Sequence, residues 1–195
     1  MSIESSPPAV RPLRKDAVRN RDTLLAVARS SFAAADDQVP LEDIARAAGV
    51  GIGTLYRHFP TRESLVEAVY SAELDDVTSS AQTLVEAFPP DVALDEWMKG
   101  YAEFVATKRG MLDTLRAGWA SGRIATPTTR ERITAAIGTI LAAGAEAGVF
   151  RDDVVPDDVT ALLVGVFLTN PTSGTSDQPA RLRALLIDAL RPRTR

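Results

Sequence analysis

The chain has 195 residues, 45% of them hydrophobic and 25% charged, which is enough to bury a core in one compact domain or two small ones. Its 22 Lys and Arg against 26 Asp and Glu leave a net charge of -4, so any nucleic-acid partner has to be met by a local basic patch. The absence of cysteine excludes a disulfide framework, thiolate catalysis and Cys-type zinc sites, and the single histidine excludes His-cluster metal sites.

Nearly every long stretch has helical periodicity, and no run of β-branched residues bounded by turns reads as a strand, so the expectation is an all-α protein. Pro7, Pro8 and Pro12 argue against an early helix, which makes residues 1–15 a flexible arm, basic through Arg11, Arg14 and Lys15. Leu24, Leu25, Ala28 and Phe32 form one apolar stripe of a first helix over about 16–35, ended by Asp36, Asp37 and Pro40. Leu41, Ile44, Ala45 and Ala48 mark a two-turn second helix, stopped at Gly49, and a short third helix over about 51–59 runs into Pro60. Thr61 is placed to cap a long fourth helix reaching about 88, with Glu63 in its first turn where the helix dipole favours a carboxylate. Beyond Pro89 and Pro90, helices fit 91–107, 111–120, 128–147, 156–169 and 180–190, with a turn-former-rich loop over 170–179. Residues 1–10 have no charged-then-apolar targeting pattern, and the longest strongly apolar run, 161–168, is far too short to span a bilayer. A cytoplasmic protein without membrane association is therefore expected.

The second and third helices, with the glycine turn between them, have the spacing of a helix-turn-helix. At 100° per residue, Leu55 and Phe59 share one face of the third helix, while Gly53, Thr54, Tyr56 and Arg57 point away from it. Those residue types suit a groove: glycine permits close backbone approach, Thr54 and Tyr56 offer hydroxyls and apolar surface for phosphates and thymine methyls, and Arg57 can donate bidentately to guanine. His58 lies at the shoulder, where a backbone phosphate would sit. The plainer alternatives are a solvated helix face and a surface histidine.

The segment LEDIARAAGVGIGTLYRHFPTRESLVEAV, residues 41–69, resembles the DNA-binding signature of the TetR family of bacterial transcriptional regulators. The resemblance extends back through the first helix and covers about 19–70. It implies a recognition helix bearing Gly53, Thr54, Tyr56, Arg57 and His58, with Thr61 and Arg62 in the backbone-contacting position beyond it. Gly51 and Leu41 depart from the family pattern, standing where Ser and Thr are common. Two hydroxyl-to-phosphate contacts are thereby lost, and phosphate affinity leans on the basic segment through Arg19 and Arg21. The implied organisation is a three-helix DNA-binding domain over 16–60 and a larger helical effector-binding and dimerisation domain over 61–195.

The implied partners are double-stranded DNA carrying a palindromic operator, a second copy of the chain, and a small apolar or amphipathic effector that releases the repressor. Trp97, Tyr101, Phe104, Leu115, Trp119, Ile133, Ile137 and Phe167 are candidates to line the effector pocket, although aromatic stripes at helical spacing also serve as ordinary core. The small residues between 133 and 148 fit either a cavity or close helix packing. The last two helices carry apolar faces wider than a monomer's rim needs: Leu162, Gly165 and Val166 on one, Leu182, Leu185, Leu186, Ala189 and Leu190 on the other. These are expected to pair into a four-helix dimer interface. A ligand-independent DNA-binding or architectural protein would share every N-terminal feature. For an enzyme, only carboxylates such as Glu103 and Asp113 remain, so no catalytic residue, metal or cofactor is expected.

Overall fold

The computed structural model describes residues 11–34, 39–122, 128–169 and 177–192. Among the described residues the secondary structure is nine α-helices and no strand, as the periodicity indicates. Helix α1 (Arg11–Ala34) starts earlier than expected, so the backbone of 11–15 is helical rather than part of a free arm. Pro12 falls in the first turn, where its fixed φ suits a helix and no intrahelical N–H is required of it. Residues 1–10, and the Asp36 and Asp37 stop signals, lie outside the described residues.

Leu24, Ala28 and Phe32 of α1 are fully buried against α2 (Leu41–Ala47) and α3 (Ile52–His58). The turn between them is a Schellman closure: Gly49 adopts a φ of 69°, its N–H donates to the Arg46 carbonyl at 3.1 Å, and that of Val50 to the Ala45 carbonyl at 3.0 Å. Leu55, at the centre of α3, and Phe59, just beyond it, point into the same core as Leu24 and Ile44. Thr61 then starts α4 (Arg62–Ala87) with a reciprocal cap, its Oγ1 accepting from the Ser64 N–H at 3.1 Å while Ser64 Oγ accepts from the Thr61 N–H at 3.2 Å.

With 26 residues, α4 is the spine of the molecule, meeting α1 between Arg62 and Asp76 and packing on α5 (Pro90–Arg109), α6 (Leu112–Ala120) and α7 (Thr129–Glu146). Helix α8 (Pro156–Thr169) lies on α7, and α9 (Gln178–Leu190) lies on α5. The last of these begins before 180, with Pro179 in its first turn, so the expected 170–179 loop is shorter; its first seven positions lie outside the described residues. One contiguous apolar core runs from Leu24 and Ile44 through Leu65 and Leu74 to Ile137 and Leu163.

Two glycines are demanded by close approach. A Cβ on Gly110, between α5 and α6, would collide with the Phe32 carbonyl of α1. One on Gly144 would collide with the Phe150 ring, and Pro156 lies 3.6 Å from where a Cβ of Gly138 would stand. At Gly144 the missing side chain serves close packing rather than a cavity, whereas at Gly138 a Cβ would make only ordinary contact.

Candidate nucleic-acid interface and aromatic core

Helix α3 is held to the core by one side and leaves the other bare. Leu55 and Phe59 are buried, whereas Gly53, Tyr56 and Arg57 are exposed, Tyr56 at 44%, and Thr54 and His58 are half-buried. Gly53 has nothing within 4 Å of where a Cβ would stand, so the backbone there is open to a ligand surface. Ile52, absent from the sequence-based candidates, is also 37% exposed at the start of α3. It shares the i, i+3, i+7 register of Leu55 and Phe59, so periodicity reads it as core; only its place at the bare end of a short helix exposes it.

Arg19 and Arg21 are exposed on α1, and the Arg21 guanidinium lies 5.4 Å over the Phe59 ring, which brings this charge beside the end of α3. Thr61 is exposed, with its hydroxyl engaged in the α4 cap. Arg62 is turned inward instead of toward a phosphate backbone. Its Nη1 donates to the Val39 carbonyl at 2.5 Å, its Nε to Thr114 Oγ1 at 3.3 Å, and its guanidinium lies 5.7 Å over Phe32. Burial pulls this guanidinium below its ordinary pKa. The side chain therefore pins α4 to α1, α6 and the residue before α2, a role that sequence position alone does not disclose.

The aromatic candidates of the C-terminal half form one connected wall. Trp97 stacks on Tyr101 at 5.5 Å, Tyr101 reaches Phe104 at 6.1 Å and Phe167 at 5.7 Å, and Tyr70 joins Phe104 at 5.7 Å to Trp119 at 6.0 Å. Trp97, Leu115, Ile133 and Ile137 are essentially sealed in the core, and Tyr101 and Phe104 nearly so; Trp119 and Phe167 are half-buried. Trp97 is a structural anchor, since its Nε1–H donates to the Val77 carbonyl at 2.8 Å. Two participants escaped the sequence reading. Tyr70 bonds Thr129 Oγ1 through its hydroxyl at 2.6 Å, and Lys108 lies over the Tyr70 and Trp119 rings at 5.6 and 5.7 Å. The spacing ends α5 at 107, whereas the helix runs to Arg109, so Lys108 falls in the last turn and over the rings.

On the opposite side, Leu162 and Leu185 are 60% and 64% exposed, Gly165 and Ala189 are also exposed, and Val166, Leu182 and Leu186 are half-buried. Leu162, Gly165, Val166 and Leu182 line a groove of about 760 Å³ between α8 and α9. Leu190 corrects the expectation: it is only 6% exposed and belongs to the core, because the end of α9 is tied in by an Arg151 N–H donating to its carbonyl at 2.8 Å. Helix α9 is further fastened by Arg183, whose Nε donates to Asp95 of α5 at 2.7 Å. Burial works against the Asp95 carboxylate, but hydrogen bonds from Lys99 and Arg183 outweigh it and hold its pKa below the ordinary value.

Among the described residues no group of His, Asp or Glu could hold a metal ion, and no helix is long and apolar enough to cross a membrane.

Comparison with known proteins covers both halves. Residues 24–69 match the family described as bacterial regulatory proteins, tetR family, and residues 89–192 match the SbtR-like transcriptional regulator C-terminal domain. A TetR transcriptional regulator from Streptomyces coelicolor is 40% identical, with 89% of this chain and 99% of that one covered and a TM-score of 0.81. A TetR regulatory protein from Mycobacterium vanbaalenii is 37% identical over 93% of this chain and 100% of its own, with a TM-score of 0.73. Curated HTH-type transcriptional regulators of Staphylococcus aureus are 26% identical over 108 residues, and the match spans 58% of their length. These relatives are transcriptional regulators, not enzymes. With both its helix-turn-helix segment and its C-terminal helices matched, the chain belongs to the TetR family of bacterial transcriptional regulators.

Proposed function

We propose that the chain is a cytoplasmic, homodimeric repressor that binds a palindromic operator by laying α3 of each copy in the major groove, and that a small molecule in the helical core releases it. The observation that carries the DNA-binding part is the division of α3: Leu55 is fully buried, while Gly53, Tyr56 and Arg57 stand free of the core. In this reading Thr54, Tyr56 and Arg57 meet base edges, His58 and Thr61 meet phosphates, and Arg19 and Arg21 supply sequence-independent attraction. The exposed face with Leu162, Leu182 and Leu185 pairs with its copy about a two-fold axis. Residues 16–60 form the reader, and residues from 61 onward carry effector binding and dimerisation.

The test is capture of sheared genomic DNA at physiological salt by the full chain and by a Tyr56→Ala, Arg57→Ala double variant. Discrete inverted-repeat fragments retained by the wild type alone support the proposal. Unselective retention, or retention indifferent to the double substitution, overturns it. A ligand-independent DNA-binding protein is the second reading, favoured by the sealed packing of Trp97, Leu115, Ile133 and Ile137. It predicts fragments that no small molecule displaces.

A further inference from the structure

Two donors near the solvent side of the aromatic wall, Lys108 and Trp119, have aromatic neighbours and no carboxylate partner among the described residues. Lys108 is partly buried, and burial pulls its ammonium below the ordinary lysine pKa, yet it makes no ion pair among the described residues; aromatic rings stand where a carboxylate would be expected. Two other partly buried cations are paired with carboxylates, Arg29 with Glu73 and Asp76 and Arg183 with Asp95, and a third, Arg62, is held by the Val39 carbonyl and Thr114. Beside Lys108, the Trp119 Nε1–H is buried with no acceptor among the described residues, a condition shared only by Arg62 Nη2 among them, whereas the other tryptophan donates to a carbonyl. A buried donor left unpaired is destabilising, so its retention calls for an explanation.

The Tyr70 and Thr129 hydroxyls share one hydrogen bond, which leaves one of their two hydrogens to donate. Burial raises the Tyr70 phenol and pushes that of Tyr101 up to about 12, so both are neutral donors at physiological pH. A cationic amine over the Tyr70 and Trp119 rings, an indole N–H and a phenol–hydroxyl pair are thus neighbours with no carboxylate partner among the described residues, and the complement of such a set is a group that only accepts. The inner end of the wall is sealed at Trp97, while Lys108, Trp119 and Phe167 are half-buried and lie nearer solvent.

We infer that Lys108, Trp119 and the Tyr70–Thr129 pair form the anion-binding end of the effector site, and that the effector is an amphipathic organic carboxylate whose apolar body lies along Tyr101 and Phe167. The inference rests on the regulatory reading above and specifies the chemistry of its ligand. It also places the ligand's charge beside the joint between the two halves, because Lys108 is two residues from Gly110, whose backbone lies against the Phe32 carbonyl of α1.

The test is calorimetric titration of the full chain with 4-phenylbutanoate and decanoate, each beside its primary amide. The wild type is expected to bind at least one carboxylate about tenfold or more tighter than its amide. That preference falls to about twofold or less in Lys108→Met, survives in Lys108→Arg, and weakens in Trp119→Phe, while the thermal midpoint of Lys108→Met stays level or rises because a partly desolvated ammonium is gone. Equal affinity for acid and amide, no binding of either, or a preference that survives Lys108→Met overturns the inference. The wild-type comparison and Trp119→Phe decide the matter even if Lys108→Met does not fold. Genomic capture separates the two proposals: discrete fragments without a carboxylate preference overturn this inference alone, whereas a carboxylate preference without fragments overturns the regulator reading and leaves the anion site.

Discussion

Arg57 and Arg19 differ in what their loss does to binding, although both are exposed cations of the N-terminal half. A base-reading arginine confers discrimination, so Arg57→Ala should cost about 1–3 kcal/mol on a matched operator and almost nothing on a scrambled one. A phosphate-contacting arginine confers general affinity, so Arg19→Ala should weaken both duplexes alike and flatten the salt dependence by about one unit of slope. Fluorescence anisotropy on the two duplexes at several salt concentrations separates these outcomes, and equal losses on both duplexes for Arg57→Ala would remove it from the base edges. Thr61 acts on folding as well, through its reciprocal bond with Ser64. Thr61→Ala should lower stability by about 1 kcal/mol in a thermal melt. Arg62 is the instructive contrast: its sequence position resembles a phosphate contact, while its bonds to the Val39 carbonyl and Thr114 make it an internal tie. Arg62→Ala should therefore depress the melting temperature together with operator affinity. Lost affinity at unchanged stability would return Arg62 to the phosphate backbone.

Helix bounds followed closely from local chemistry wherever that chemistry was decisive. Gly49 stops α2 by its left-handed backbone, and Thr61 starts α4 by its cap. Three helices start earlier than their spacing indicates, α1 at Arg11, α5 at Pro90 and α9 at Gln178, and each takes a proline into its first turn, where proline is tolerated. The aromatic setting of Lys108 and the unpaired indole of Trp119 were not legible, because both depend on helices far apart in sequence, and so does the burial of Leu190. The contact between Gly110 and α1 is likewise tertiary. Gly110→Ala would drive a Cβ into the Phe32 carbonyl, so it should destabilise the chain by about 1–3 kcal/mol and alter operator affinity from a position remote from α3, which a melt and an anisotropy titration together would show. At the α5–α9 seam, the Asp95 pKa is lowered in the folded chain. Its contribution is complete above the unfolded carboxylate value and is lost as pH falls through the lowered one, so α9 should loosen in acid and not in alkali. Hydrogen exchange of α9 amides should show that acid-dependent opening in the wild type, and opening already at neutral pH in Asp95→Asn.

For the molecule as a whole, the proposed activity needs two copies. A single α3 of seven residues reads only a few base pairs, and symmetry is what turns it into a specific reader. Leu162 and Leu185, exposed on adjacent helices, are the positions where a charge should separate the copies. Leu162→Asp with Leu185→Asp should give a folded monomer by light scattering and lose most operator affinity; a persistent dimer would place the interface elsewhere. Effector coupling of the usual ~1–3 kcal/mol would release the operator only partly, whereas a near-complete switch requires about 5.5 kcal/mol of differential binding. The most direct measurement is a hydroxyl-radical footprint of the full chain on a captured genomic fragment, beside the Tyr56→Ala, Arg57→Ala double variant. Two symmetric protected half-sites centred about one helical turn or a multiple of it apart, roughly 34–36 Å per turn, and absent with the double variant, are the predicted result. A continuous or asymmetric footprint, or one that the double variant reproduces, would contradict reading by paired α3 helices.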